Sequence, residues 1–160
     1  MKIFFGSQTG TAEDFAGILK EEATEKGFNA IVEDLEEYET EDLKDETFVV
    51  FLVATYGEGE PTDNAKDFYN WFMEEDREED LELRNTKYAV FGLGNSTYEQ
   101  YNKMGRVYQK RLEKLGAKCI IPYGEGDDDG CLEDDFNKWK DGKKKTKKKT
   151  KEKKKKKLFF

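Results

Sequence analysis

Three separated stretches carry residue types suited to one flat, phosphorylated ligand. They are Ser7-Gln8-Thr9-Gly10-Thr11-Ala12, Ala54-Thr55-Tyr56-Gly57-Glu58-Gly59 running on to Asn64, and Gly92-Leu93-Gly94-Asn95-Ser96-Thr97-Tyr98. In the first, three hydroxyls and a glycine can wrap a phosphate with donors. A helix starting at Thr11 would add free amides and a partial positive charge. There is no Gly-Lys-Ser/Thr, so this is not a Walker loop, and a monoester fits better than a triphosphate. The same residues also read as an ordinary helix start, with Thr11 as cap and Asp14 in a box-like position. The second stretch sets Tyr56 beside two glycines whose backbone can approach a ligand and flip a peptide. Its alternative reading is a turn through Pro61 into a helix capped by Thr62 or Asp63. The third contains G-x-G without a third glycine and follows a late strand, which rules out a dinucleotide fingerprint. Tyr98 is either a first-turn aromatic or, with Tyr56, one of two rings that sandwich a flat ligand.

Short apolar runs precede each of these stretches. Lys2–Phe5, Asn29–Glu33, Phe48–Ala54, Lys87–Phe91 and Lys118–Ile121 read as strands, and Phe48–Ala54 is apolar throughout, as in a central parallel strand covered on both faces. Helical periodicity lies between them. From about Thr11 to Lys26 the apolar face is Ala12, Phe15, Ala16, Leu19 and Ala23, with Gly27 as the stop. A second helix begins near Asp63 with Ala65, Phe68, Tyr69 and Phe72 on one side. A further one runs from about Tyr98 to Leu115, and the last starts near Cys131 with Phe136 and Trp139. This alternation predicts an α/β fold with a five-stranded, doubly wound parallel sheet of strand order 2-1-3-4-5. In such a sheet ligands sit at the carboxyl ends of the strands, where all three stretches fall.

The 160 residues suffice for one domain with a core, expected over residues 1–140. No run of about 18 apolar residues suggests a membrane span, and the N-terminus does not resemble a signal peptide. Two cysteines suit a reducing compartment, so a cytoplasmic location is expected. Cys119 is expected to be buried in its strand and Cys131 to be inert at a helix start. Histidine is absent, which removes the commonest general base and transition-metal ligand. No catalytic or metal-ligating residue is assigned.

The net charge of −8 hides two opposed parts. Residues 141–160 hold twelve lysines against Asp141 and Glu152, a net of +10, while the other 140 residues hold 16 basic and 34 acidic groups, a net of −18. The body should repel nucleic acid and attract basic proteins. The tail is expected to be disordered. It reads as a solvated end, as a clamp over the acidic edge, or as a tether to an anionic membrane surface through its lysines and Leu158, Phe159 and Phe160. The third reading would make the protein peripheral at a membrane. Glu58, Glu60 and Asp63, with Asp127, Asp128 and Asp129, fall on the ligand edge and read as a docking face. Glu74–Asp80 falls at the opposite edge and reads as a solvated loop.

The motifs GSQTGTAEDFA, VATYGEGEPTDNAKDFYNW, VFGLGNSTYEQYNKMG and GDDDGCLEDDF closely resemble the FMN-binding, flavodoxin-like domain of the diflavin reductases, as in NADPH–cytochrome P-450 reductase, over roughly Met1–Lys140. The resemblance implies FMN as cofactor. It implies that Ser7, Gln8, Thr9, Gly10, Thr11 and Ala12 bind the phosphate, that Tyr56 and Tyr98 flank the isoalloxazine, and that Gly57 offers its backbone to flavin N5. It places Leu93, Gly94 and Asn95 along the ring edge and Asp128 beside the flavin. Ala54, Thr55, Glu58, Gly59 and Asn102 complete the implied set. The sequence shows neither the family's anchoring helix nor its FAD- and NADPH-binding domains, so by itself this chain is expected not to oxidise NADPH.

The leading expectation is therefore a monomeric one-electron carrier. It would be reduced by a separate NADPH/FAD reductase and would pass electrons singly to a basic haem protein such as a cytochrome P-450, as a component of an oxidoreductase system. A two-electron FMN quinone reductase on the same fold and a flavin-free acidic interaction module are the alternatives.

Overall fold

The computed structural model describes residues 1–142; the expected tail from Lys143 onward lies outside the described residues. Three strands form the centre of a parallel sheet: β1 (Lys2–Gly6), β3 (Phe48–Tyr56) and β5 (Lys87–Gly94). β2 (Ile31–Asp34) lies outside β1, and β6 (Lys118–Cys119) lies outside β5. Numbered among themselves in chain order, these five strands stand 2-1-3-4-5. Two short strands are added. β4 (Glu60–Pro61) folds back antiparallel on Thr55 and Tyr56, and β7 (Gly124–Asp127) pairs with Phe91–Gly94 of β5.

β3 shows why the sheet is double-faced. Val50 and Leu52 point to the side covered by α1 (Thr11–Glu25) and α5 (Leu132–Lys140). Val49, Phe51 and Val53 point to the side covered by α2 (Lys66–Phe72) and α4 (Lys103–Lys114). The buried residues of α1 are Ala12, Phe15, Ala16, Leu19 and Ala23, the apolar stripe of its sequence. Phe15 stacks on Phe136 of α5 with centroids 4.3 Å apart. At the end of α5, Lys140 is buried and paired with Glu22 of α1 at 2.7 Å. Because the central strands are parallel, their carboxyl ends at Gly6, Tyr56, Gly94 and Asp127 all reach one edge of the sheet.

Four expectations are corrected here. The fifth strand, expected over Lys118–Ile121, stops at Cys119, and the ladder resumes as β7. Between Tyr88↔Cys119 and Phe91↔Gly124 the edge chain inserts two extra residues, and Pro122 within that stretch has no N–H to donate. β7 has no apolar pattern because α5 presses on it: a Cβ at Gly124 would collide with Trp139, and one at Gly126 with Leu132. The helix expected from Tyr98 begins at Lys103, since Asn102 is left-handed (φ 54°). Cys119 is exposed, because β6 is an edge strand of two residues, neither of them covered. Glu74–Asp80 is not a plain solvated loop. It contains α3 (Arg77–Asp80), and Glu78 accepts from Arg111 at 2.9 Å and pairs with Lys114 at 2.6 Å.

Tyr108 of α4 lies at the centre of the aromatic cluster with Phe51, Phe68 and Phe72, and its hydroxyl is buried without a hydrogen-bond partner among the described residues. Burial drives its pKa far up. A buried unsatisfied hydroxyl is a net cost. Tyr108→Phe is therefore expected to raise stability by about 1 kcal/mol, seen as a melting temperature about 2–4 °C higher. A lower melting temperature would reveal a partner for that oxygen.

Candidate functional site

The loop between β1 and α1 is organised around Ser7. Its Oγ accepts from the Gly10 amide at 3.0 Å and from the Ala12 amide at 3.3 Å. Gly10 is the N-cap of α1 and has no side chain to offer, so the Ala12 amide of the first turn is taken by Ser7 and the cap read for Thr11 does not form. The hydroxyls of Ser7, Thr9 and Thr11 and the partial positive charge at the start of α1 make this end of the site a receptor for an anion. Gln8 ties the loop sideways. Its Nε2 donates to Asp63 Oδ2 at 2.8 Å, and its Oε1 accepts from the Asp63 amide at 3.1 Å.

The second loop is a hairpin. β3 ends at Tyr56, Gly57 (φ 52°) and Gly59 (φ 95°) take left-handed backbone, and Glu60 pairs back on Tyr56. Any Cβ on Gly59 would come 2.7 Å from Lys103 Cδ and 3.0 Å from Gln100 Cβ, so that glycine lets the hairpin lie against the third loop. Thr55 directs its hydroxyl oxygen to the Met104 amide at 3.0 Å, supporting the first turn of α4.

In the third loop, Asn95 Oδ1 accepts from the Thr97 amide at 3.0 Å, an Asx turn that swings the chain outward and leaves Tyr98 66% exposed. Tyr56, at the end of β3, is 45% exposed. Asp128 donates its amide to Gly94 O at 2.8 Å, and Asp127 Oδ1 accepts from the amides of Ser96 at 2.9 Å and Asp129 at 3.0 Å. Hydrogen bonds from Ser96, hydroxyl first and amide next, hold the Asp127 carboxyl below the usual carboxylate range. Burial, with Asp127 and Glu125 nearby, pushes the Tyr101 phenol up.

Together these loops line a cleft of about 450 Å³, within the usual span of small-molecule sites. Ser7, Gln8, Thr9, Thr11 and Ala12 line its anion-receiving end, followed by Ala54, Thr55, Tyr56 and Gly57 from the second loop. Leu93, Gly94, Asn95, Tyr98 and Asn102 come from the third, and Asp128 from the turn after β7. Gly10, Glu58 and Gly59 stand outside the lining: Gly10 serves as N-cap, Glu58 is exposed at the hairpin tip, and Gly59 packs on Gln100 and Lys103.

Thr62, Gln100, Tyr101 and Leu132 also line the cleft and were not singled out in the sequence. Gln100 and Tyr101 lie between Tyr98 and Asn102, so once α4 is seen to start at Lys103 the whole intervening turn belongs to the site. Leu132 carries no signal of its own. At the base of the cleft, Asn102 is fully buried. Its Nδ2 donates to Gly126 O at 3.1 Å, while its Oδ1 has no partner. Hydroxyls and a helix start at one end and two exposed tyrosines fit an elongated ligand with an anionic tail and a planar ring. FMN has that shape and chemistry.

Comparison with known proteins gives the same picture. Residues 3–139 match the flavodoxin family. NADPH–cytochrome P450 reductase of Dictyostelium discoideum is 56% identical over 141 residues, which are 88% of this chain and 21% of that protein. The Homo sapiens NADPH–cytochrome P450 reductase is 52% identical over 144 residues, which are 87% of this chain and 21% of that protein. The chain thus spans about a fifth of the length of the curated relatives it matches. Among solved structures, oxidised Flavodoxin 1 from Bacillus cereus shares the fold with a TM-score of 0.72 at 22% identity, over 86% of this chain and 89% of that one.

Proposed function

The chain belongs to the flavodoxin family of FMN-binding electron carriers, and from that premise we propose that it takes electrons from an NADPH/FAD reductase and passes them singly to a haem protein. The observation that carries the reading is the cleft itself, with an anion-receiving helix end and two exposed tyrosines on one continuous surface. Identity above 50% to NADPH–cytochrome P450 reductases supports the choice of donor and acceptor.

When bound, FMN supplies the redox chemistry. The residues of this chain place it. The start of α1 and the hydroxyls of Ser7, Thr9 and Thr11 would hold its phosphate. Tyr56 and Tyr98 would hold the ring by stacking. Gly57, left-handed and lining the cleft, would offer its backbone carbonyl as an acceptor to a ring N–H. Glu58, Glu60, Asp128 and Asp129 are exposed around the hairpin and the β7 turn, and their field opposes added negative charge on the cofactor.

The test is reconstitution followed by stepwise reduction. The protein is expected to bind one FMN and to be reduced in two separate steps, with a long-wavelength absorption band at the half-reduced point. A single two-electron step would favour the quinone-reductase alternative, and absence of FMN binding would overturn the flavoprotein reading.

Docking to a basic haem protein should be electrostatic. Its reduction is expected to slow as salt rises, since screening acts within about 8 Å at physiological ionic strength. Neutralising Glu58 and Glu60, or Asp128 and Asp129, should slow it further. Asp127 is a poor probe of docking, because its carboxylate is engaged by Ser96 and Asp129. Neutralising Glu79 and Asp80 should matter less. Their helix packs at Arg111, nine residues along α4 from Asn102 and so roughly 13 Å from the cleft end. Equal effects of the two sets in stopped-flow kinetics would refute the docking face.

A further inference from the structure

Asn64 makes four hydrogen bonds through one carboxamide, yet it does not line the cleft. It sits in the 3-10 turn Asp63–Ala65, between β4 and α2. Its Oδ1 accepts from the Ser7 amide at 2.9 Å and from the Thr62 hydroxyl at 2.7 Å. Its Nδ2 donates to Phe5 O at 3.0 Å and to Asp34 Oδ1 at 3.0 Å. Both oxygen lone pairs and both N–H groups are therefore in use. The orientation of the amide is dictated as well: turned over, it would set Nδ2 against the Ser7 N–H and Oδ1 against two oxygen acceptors.

The partners explain what this arrangement does. Phe5 is near the end of β1 and Asp34 ends β2, both parts of the rigid sheet. Ser7 is the first residue of the anion-receiving loop, and its Oγ gathers the Gly10 and Ala12 amides. Asn64 thus joins the loop after β3 to the tips of β1 and β2, and pins the residue that orders the donors. Gln8 and Asp63 make a second link, but an exposed one.

We infer that Asn64 is a positioning residue that holds the Ser7–Ala12 loop in the form that receives a phosphate monoester, and so sets the preference of the cleft for FMN over riboflavin. This rests on the FMN reading above. The geometry separates the two flavins, because Asn64 acts only on the phosphate end. Tyr56, Tyr98 and Asn102, which serve the ring end, are untouched by it.

The experiment measures dissociation constants of the apoprotein for FMN and for riboflavin by flavin fluorescence, together with apoprotein unfolding temperature. The native protein should prefer FMN. Asn64→Ala should weaken FMN binding about tenfold and leave riboflavin binding within about twofold, so the preference contracts. Asp34→Ala, which removes one of the four bonds from outside the cleft, should shift the ratio in the same direction by less, and it serves if Asn64→Ala does not fold. An unchanged ratio in both variants overturns the inference. Equal weakening of both flavins with a lowered unfolding temperature also overturns it, since that is the mark of a merely structural residue. A native protein that binds neither flavin overturns the FMN reading instead.

Discussion

Arg111→Ala is expected to cost about 3 kcal/mol of folding stability and to lower the melting temperature by about 6–12 °C. Arg111 is only 6% exposed, which is unusual for an arginine. Its Nε donates to Phe72 O at 2.8 Å, its Nη2 to Glu74 O at 2.7 Å and its Nη1 to Glu78 Oε1 at 2.9 Å. One guanidinium therefore terminates α2, holds the turn after it and anchors α3 to α4. Truncation would leave two backbone carbonyls short of donors in a place with little water, and would also remove the packing of the stem. Arg111→Met should recover the stem contribution but not the hydrogen bonds, and should fall between the two. Thermal unfolding of the three proteins decides the matter. A loss below about 1 kcal/mol in Arg111→Ala would mean that the carbonyls find other partners.

Tyr98→Ala is expected to weaken FMN binding by about 1–3 kcal/mol, as stacked aromatics do for heterocyclic rings. That is roughly 5- to 150-fold in dissociation constant. Tyr98 is 66% exposed, so its ring has much surface to cover when a flat ligand lies against it and little to lose in the free protein. For that reason the melting temperature of the apoprotein should stay nearly unchanged, as for most surface substitutions. Tyr98→Phe should keep most of the affinity, since the stacking face rather than the hydroxyl is in use. Fluorescence titration of the variants checks this. Full FMN affinity in Tyr98→Ala would remove that tyrosine from the site.

The order of elements and the edge that holds the site are readable from local patterns. The α1 stripe, the wholly apolar β3 and the helix stop at Gly27 each follow from neighbours a few residues apart, and periodicity reports such neighbours directly. Parallel strands bring all their carboxyl ends to one edge, so the three glycine- and hydroxyl-bearing stretches had to meet there once the alternation of strands and helices was recognised. The quoted motifs added the cofactor class through family resemblance.

What periodicity could not supply are contacts between residues distant in sequence. The Asn64 carboxamide joins Ser7 and Asp34, 57 and 30 positions away. Arg111 reaches back 39 positions to Phe72, and Ser96 reaches forward 31 to Asp127. Residue types alone placed Glu74–Asp80 in solvent, because a charged residue is normally solvated. Only the packed structure shows that these charges satisfy one another and the backbone. β7 was hidden for the same reason. Its glycines carry no strand signal, and their place is set by Trp139 and Leu132 of a helix that arrives later in the chain. The sequence by itself determined which surfaces must be buried and which loops share an edge, since burial follows local pattern. The tertiary structure decided which hydrogen bonds hold those loops in shape, since that depends on partners brought together only by folding.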